Sequence, residues 1–214
     1  MKVSSFMKYR GFQFFYDAKN LSFFGAHYPR YAERLYFKPT AIMPVMGGGA
    51  RYGQIISDWP TLRCEIVGQI SPVKEVLSHF MHGISWTETG LYERMEKQLS
   101  ERGYVDGCRS MTDVYRRYEN LDRLYDETAR IGRLKTQSEV ATLNIREFGG
   151  ITFHIDADGE LVFSRIGQHR MAIALALELT EAPFALGAVD IGIAKAFAQT
   201  RLYYQGRDSS QELR

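Results

Sequence analysis

The chain has 214 residues, of which 45% are hydrophobic and 24% charged, and its formal net charge is +2. This length and composition are typical of a globular protein that can bury a core without covalent staples. The net charge is too small to indicate a nucleic-acid-binding protein unless it is concentrated on one face. Cys64 and Cys108 are too few and too far apart for a disulfide framework or a CxxC zinc site, which favours a reducing compartment.

Two further features bear on where the chain is expected to work. No run of eighteen apolar residues occurs, so no transmembrane helix is predicted. Residues Met1–Phe15 lack a continuous apolar stretch followed by a small-residue cleavage site, which argues against a secretory signal. We therefore predict a soluble cytoplasmic protein with no membrane partner.

The first part of the chain is rich in aromatic residues, which argues against disorder there. We predict that residues 1–60 form an extension packed on the core, and that residues 61–214 contain a helical segment and the core itself. Gly47-Gly48-Gly49 lacks the Gly-Lys-Ser/Thr ending of a phosphate loop, so we interpret it as a surface loop or a lid over a phosphate site. The other elements expected here are a strand at Arg10–Tyr16, a strand or short helix at Tyr31–Phe37, a loop at Met43–Tyr52 and a short strand at Glu65–Ile70.

The middle of the chain has the apolar periodicity of helices, first at Thr87–Glu101. A second, longer helix is predicted between a capping-box-like start at Ser110–Asp113 and a C-terminal cap at Gly132. Thr136 and Glu139 open a shorter helix that we expect to reach about Leu143. The stripe of the long helix that faces the core is predicted to be Val114, Tyr118, Leu121, Tyr125 and Thr128. Its arginines, expected largely away from that stripe, are Arg116, Arg117, Arg123 and Arg130.

The last third changes to the period of strands. Asp158-Gly159 is a strong hairpin signal between two alternating or apolar runs. An apolar, alanine-rich stretch then predicts a buried helix. The elements expected in order are strands at Ile151–Ile155 and Leu161–Phe163, a helix at Met171–Leu179, a strand at Pro183–Gly187 and a helix at Ile191–Tyr203. This order predicts an α/β fold.

The start of the buried helix carries an unusual set of residues, Gly167-Gln168-His169-Arg170. A helix start leaves backbone N–H groups unpaired and carries about half a positive charge, so acidic or capping residues are the usual choice. A cation there is favourable if an anion binds the helix start. Gly167 would let the anion approach the backbone, and Arg170 could bind it with two parallel hydrogen bonds. Arg165 would add a second positive charge. Alternatively, Arg170 pairs internally with a carboxylate such as Glu178 or Asp158.

The residues Asp158 to Phe163, Gly167 to Ala174 and Pro183 resemble the core of the ParB/sulfiredoxin superfamily, over about Ile151–Val189. In that superfamily a Gly-x-(His/Arg)-Arg turn begins a helix and holds nucleotide phosphates. The resemblance implies a ParB/sulfiredoxin-like fold, with a small mixed sheet and helices packed on it, and a nucleotide-binding protein. A wider similarity, to a poorly characterised group of microbial proteins with this core at the C-terminal end, rests on Gly53, Asp58-Trp59, Trp86 to Thr89, Tyr92, Arg117 to Tyr125 and Lys135 to Gln137.

Departures from the family narrow what the resemblance implies. Gln168 stands where sulfiredoxins have their catalytic cysteine, so sulfinic-acid reduction is not expected. Glu119-Asn120-Leu121-Asp122-Arg123 matches a partition-protein motif but precedes the turn, and we interpret it as a helix surface. Free-amino-acid kinases of the superfamily need a carboxylate base, for which Asp122, Glu119 and Asp158 are the candidates.

These observations lead to one principal hypothesis: the protein binds ATP or CTP with Mg²⁺ and transfers or hydrolyses the γ-phosphate, with an unknown small-molecule acceptor. The phosphate-binding residues would be Gly167, Gln168, His169, Arg170, Arg165 and Lys135. The catalytic residues would be Asp122, as base or metal-positioning carboxylate, and His169, which would neutralise charge together with Arg170.

Two alternatives stay open. The protein could be a non-catalytic, nucleotide-responsive or DNA-associated adaptor that uses a basic helix face made of Arg116, Arg117, Arg123, Arg130 and Arg133. It could also be a structural module in which Arg170 serves only as an ion-pair partner. No metal-binding set of side chains is predicted, because His79 and His82 lack a third ligand and Asp156-x-Asp158-Gly159 lacks the rest of a calcium loop.

Overall fold

The structure is a computed structural model that describes residues 3–46, 51–59, 65–141 and 143–205. The Gly47-Gly48-Gly49 segment lies outside the described residues. The helices are α1 (Val3–Phe24), α2 (Ser71–His82), α3 (Leu91–Arg102), α4 (Met111–Ile131), α5 (Gln137–Val140), α6 (Gln168–Ala176), α7 (Ile191–Lys195) and α8 (Phe197–Tyr204). The strands are β1 (Arg34–Phe37), β2 (Pro44–Val45), β3 (Ile55–Ile56), β4 (Glu65–Ile66), β5 (Ile151–Ile155), β6 (Leu161–Phe163) and β7 (Ala182–Asp190).

The strands form one mixed sheet in the order β1-β7-β5-β6-β2-β4, and β3 pairs with β7 beyond the end of β1. β5 runs parallel to β7 and antiparallel to β6, as the Asp158-Gly159 turn predicts. Together with the helices this confirms the predicted α/β fold with a mixed sheet. Strands from residues 1–60 pair with β6 and β7, so this part of the chain belongs to the sheet rather than only packing on it.

Two apolar clusters lie on opposite faces of β7. Phe184 and Leu186 belong to the main core, which includes the buried residues of α2, α4 and α6. Ala185 belongs to a second cluster with Tyr9 and Tyr31. Successive side chains of a strand point to opposite faces. Since Tyr9 is in α1, that helix covers the face of the sheet opposite α2 and α6.

The predicted strand at Arg10–Tyr16 is wrong, because these residues lie within α1. The inward face of the helix carries Tyr9, Gln13 and Asn20, which are all buried and are spaced by four and seven residues. Polar residues on the inner face and phenylalanines on the outer face invert the usual amphipathic pattern. Hydrophobic periodicity could therefore not reveal this helix.

Capping signals were the more reliable guides to helix boundaries. Ser110 accepts a hydrogen bond from the backbone N–H of Asp113 at the start of α4, and Gly132 ends that helix with a φ of +71°. Thr136 and Glu139 form a complete capping box at α5, which ends at Val140 rather than near Leu143. The single predicted C-terminal helix is divided into α7 and α8 at Ala196.

Other boundaries differ from the prediction by a few residues. The predicted strand at Glu65–Ile70 is β4 followed by a 3-10 turn at Val67–Gln69, and the predicted loop at Met43–Tyr52 contains β2. The helix expected at Thr87–Glu101 begins at Leu91, and the buried helix begins at Gln168, three residues before Met171. Over the ranges that the structure describes, no helix has both the length and the apolarity needed to cross a bilayer.

Candidate anion-binding site at the start of α6

The α6 helix begins at a glycine that the surrounding backbone requires. Gly167 has a φ of +79°, and a Cβ there would lie 2.6 Å from the Cα of Ile151 and 2.8 Å from the carbonyl oxygen of Gly150. The space that a side chain would fill is therefore occupied by the backbone of Gly150 and Ile151, where β5 begins. The structure thus explains the glycine by the close approach of α6 to the sheet, whereas the sequence hypothesis explained it by the approach of an anion.

The first turn of α6 is left without a side-chain cap. Within the described residues, no side chain accepts a hydrogen bond from its N–H groups, and the first turn contains no acidic residue. The backbone N–H groups of Gln168, His169 and Arg170 precede the first intrahelical donor, the N–H of Met171, which bonds the Gly167 carbonyl at 2.9 Å. This end of the helix is therefore suited to an anion by its dipole and its donors.

Two clefts meet at this helix start. The smaller, of about 300 Å³, contains Gly167 and Gln168 and is also lined by five charged or titratable side chains. These are Asp106, Arg117, Arg165, His169 and Arg170. The larger, of about 560 Å³, extends along α4 past Asn120, Leu121 and Leu124 and also contains Arg109 and Arg116. Arg117, His169 and Arg170 line both clefts, so the two are adjacent, and together they are called the groove below.

The charge of the smaller cleft is positive. Its lining includes three arginines, Arg117, Arg165 and Arg170, against a single aspartate, Asp106. Arg165 lies in the left-handed region with a φ of +65° and forms an ion pair with Glu65, so part of its charge is already compensated. Arg117 and Arg170 add further positive charge, which Glu147 and Glu139 partly offset in the case of Arg170.

Arg170 is a structural residue as well as a candidate ligand-binding residue. Its Nη2 donates a hydrogen bond to the backbone carbonyl of Lys135, and Glu147 and Glu139 partly offset its charge. Burial lowers the pKa of Arg170 from its usual value. The internal carboxylates that interact with it are thus not Glu178 or Asp158, which the sequence suggested. Its buried Nε is nevertheless without a hydrogen-bond partner in the described part of the chain.

Arg117 is held against His169. Its Nη2 lies 3.4 Å from Nδ1 of His169, and the Tyr118 hydroxyl lies 3.3 Å from Nε2 of the same ring. Because a guanidinium can only donate, Nδ1 of His169 accepts and its proton is on Nε2. Burial, together with the charge of Arg117, lowers the pKa of His169 to about 4. His169 is therefore neutral near pH 7 and orients Arg117, and it contributes no positive charge of its own, contrary to the role that the sequence hypothesis assigned to it.

Two other predicted site residues lie outside the groove. The ammonium of Lys135 pairs with Glu127 at 2.5 Å, and it is the backbone carbonyl of Lys135 that contacts Arg170. Asp122 accepts hydrogen bonds from Nε1 of Trp86 at 3.1 and 3.3 Å and faces His79 at 3.4 Å. The ring of His79 stacks on Trp86, so Asp122 belongs to an aromatic cluster between α2 and α4.

This placement makes a prediction about Asp122. We expect Asp122→Ala to lower the free energy of unfolding by about 1 kcal/mol, because the indole N–H of the buried Trp86 loses its acceptor. Binding of phosphate ligands should not change. Urea unfolding followed by a binding titration of the folded variant measures both quantities. A variant of normal stability with weakened phosphate binding would contradict this prediction and show that Asp122 belongs to the phosphate site.

Sequence reasoning missed Asp106, and it named Arg117 only as part of the basic face of the adaptor alternative and not as a residue of the α6 site. Arg117 precedes Leu121 by four residues and so borders the apolar stripe of α4, where helical spacing could have placed it near the core. Asp106 has a φ of +47° in the tight turn between Val105 and Cys108, and no sequence signal connects that turn with α6. Its proximity to His169 depends on how α4 packs against α6.

The proposed basic face of α4 is divided by acidic residues. Arg116 and Arg123 are near Asp113 and Glu119, at 3.9 and 4.0 Å, and Arg133 pairs with Glu139 at 2.7 Å. Groups of three or more His, Cys, Asp or Glu side chains able to hold a metal ion do not occur among the described residues. Comparisons of this chain with protein-family models, with curated proteins and with solved structures find no match, so the ParB/sulfiredoxin resemblance stays a prediction.

Proposed function

We propose that the protein binds the phosphate groups of a nucleotide at the start of α6. The observation that carries this proposal is that two arginines from different helices, Arg117 of α4 and Arg170 of α6, come together at the start of α6. Both arginines line the same cleft beside an uncapped helix start. A phosphate in the cleft would accept from both arginines and from the helix N–H groups at once.

The larger cleft is suited to the rest of the ligand. Leu121 and Leu124 offer apolar contact, and Asn120 offers both a donor and an acceptor to a polar ring edge. A nucleoside would extend along α4 from phosphates held at α6. Arg109 and Arg116 are available to further phosphate oxygens, which favours a nucleotide with more than one phosphate.

The proposal includes transfer or hydrolysis of the γ-phosphate of ATP or CTP. The carboxylate of the smaller cleft is Asp106, which takes the role that the sequence hypothesis gave to Asp122. Asp106 would accept the proton of an attacking water or acceptor hydroxyl. The oxygen of that water or hydroxyl would bond to the γ-phosphorus while the bond between the γ-phosphorus and the nucleoside diphosphate breaks. Arg117 and Arg170 would stabilise the charge on the transferred group. Mg²⁺, when bound to the nucleotide, would neutralise its phosphate charge.

Calorimetric titration with ATP and with CTP, each with Mg²⁺, tests the binding. Arg117→Gln is the better variant, because Arg170→Ala would also remove the bond to the Lys135 carbonyl and so perturb the fold. We expect Arg117→Gln to weaken binding by roughly ten- to a hundredfold, which corresponds to a charged hydrogen bond of about 1.5–3 kcal/mol. Arg130→Gln, an exposed position on the same helix, is the matched control and should bind as the unmodified protein does.

Three outcomes separate the alternatives. Nucleotide binding that Arg117→Gln leaves unchanged would remove the α6 site from the proposal. Binding with no release of phosphate, in the protein and in Asp106→Asn alike, would leave a nucleotide-responsive protein without catalysis. Absence of nucleotide binding together with DNA binding that falls steeply with salt would favour the DNA-associated adaptor.

A further inference from the structure

The outer face of α1 is apolar and unlike the rest of the described surface. The helix exposes six large apolar side chains within seventeen residues: Met7, Phe12, Phe14, Phe15, Leu21 and Phe23. Phe14 is 78% exposed and Phe23 is 72% exposed. Single exposed apolar residues are ordinary, whereas a row of phenylalanines on one helix indicates a surface that binds something.

The orientation of this face is fixed by polar anchors on the opposite side of the helix. The side-chain amide of Asn20 donates to the carbonyl oxygens of Pro29 and Gly53, at 3.0 and 3.1 Å. Asp17 forms a two-pronged ion pair with Arg146 at 2.6 and 3.1 Å. Rotating α1 to bury its phenylalanines would break both sets of contacts, so the apolar face is held towards solvent.

Cations flank the central part of the apolar face, made of Met7, Phe14, Phe15 and Leu21, and Phe12 and Phe23 lie beyond the lysines. Met7, Phe14 and Leu21 are seven residues apart and so lie almost in line along the helix. At 100° per residue, exposed Lys8 and Lys19 fall on one side of that line, and exposed Arg10 falls on the other. Residues 1–24 contain four lysines and arginines and one acidic residue, Asp17, which is occupied by Arg146.

We propose that α1 is a lipid-binding helix that lies in the plane of an anionic membrane surface. Phenylalanines and leucine would enter the boundary between headgroups and acyl chains, and Lys8, Arg10 and Lys19 would meet the lipid phosphates beside them. This is peripheral binding, distinct from a membrane span. A second copy of the chain fits the face less well, because the stripe of one copy offers no free acidic residue to the flanking cations of the other.

Co-flotation with vesicles tests this inference. The protein is expected to float with vesicles of phosphatidylglycerol and phosphatidylcholine and not with phosphatidylcholine alone, and added salt should weaken the binding. Phe14→Ser combined with Phe15→Ser should reduce binding to the mixed vesicles by about tenfold or more, since each buried phenylalanine contributes strongly. Leu202→Ser combined with Tyr203→Ser removes two exposed apolar residues on α8 and should change nothing.

Two results would overturn the proposal. Failure of the protein to float with anionic vesicles at low salt would do so directly. A dimer in light scattering that the Phe14→Ser and Phe15→Ser changes dissociate, without lipid binding, would assign the face to a second copy. Because both phenylalanines are more than half exposed, the thermal midpoint of the double variant should match that of the unmodified protein, which shows that its fold is intact.

Discussion

Gly167→Ala is expected to lower the free energy of unfolding by about 3 kcal/mol, of which about 1 arises from the positive φ and up to about 2 from overlap with β5. The added Cβ would lie 2.6 Å from the Cα and 2.7 Å from the backbone N of Ile151. Neither atom can move without disturbing the pairing of β5 with β7. For a chain of this length the midpoint of thermal unfolding should fall by roughly 10 °C, measured by circular dichroism.

Gly132→Ala is the control for that variant. Gly132 has a φ of +71°, and nothing in the described ranges lies within 4 Å of a Cβ placed there. The Gly132→Ala variant should lose only about 1 kcal/mol of the free energy of unfolding, from backbone strain alone. Equal losses at Gly132 and Gly167 would show that the α6 helix does not approach β5 as closely as described.

Acidification is expected to destabilise the protein through two buried neutral histidines. His154 accepts a hydrogen bond from the backbone N–H of Ala188 at 2.8 Å, and burial lowers the pKa of His154 to about 4. His169 accepts from Arg117, and its pKa is also about 4. Protonation would convert each acceptor into a donor and add a charge to a buried site, next to a cation in the case of His169.

The direction of the pH dependence follows from these shifts. In the unfolded chain both histidines bind protons near pH 6.5, whereas in the folded protein they bind them only near pH 4. The part of the free energy of unfolding that depends on these neutral histidines is therefore complete above pH 6.5 and is lost as the pH falls towards 4. Between pH 7 and pH 5 the loss should be about 2 kcal/mol for each histidine, or about 4 kcal/mol together.

Urea unfolding at pH 7 and pH 5 measures this loss. His154→Gln and His169→Gln should each reduce the difference between the two pH values, and the exposed His27→Gln should leave it unchanged. Burial raises the pKa of Glu147, which acts in the opposite direction and cancels when each variant is compared with the unmodified protein. If the variants do not fold, an NMR titration of the unmodified protein tests the pKa values of the two histidines instead. Ring signals of both histidines that shift near pH 6.5 would contradict the prediction.

Several parts of the fold could be predicted because their signals are local. The hairpin at Asp158-Gly159 depends on a turn between adjacent strands, and the caps at Ser110, Gly132 and Thr136 depend on hydrogen bonds within one turn. The same holds for the α6 start, where Gly167 and the absence of a capping side chain are visible in the sequence. These features involve residues a few positions apart, whose backbone conformations constrain one another directly.

Most of the residues that make up the site could not be predicted from the sequence. Arg170 was identified, but its partners were not, and Asp122 and Lys135 were assigned to a cleft that neither residue lines. Arg117 and His169 are 52 positions apart, and only the packing of α4 against α6 brings their side chains to 3.4 Å. Sequence spacing carries no information about such a pair.

By itself, then, the sequence determined the order of the C-terminal strands and helix, the caps of the middle helices and the cationic start of α6, because short-range backbone geometry specifies each of them. The tertiary structure alone decided that α1 is a helix with its phenylalanines outward, that His169 is neutral and that Arg117 and Asp106 meet Arg170. Each of these depends on burial or on contacts between distant segments. Long-range packing sets the desolvation and the neighbours that give a side chain its charge and its chemistry.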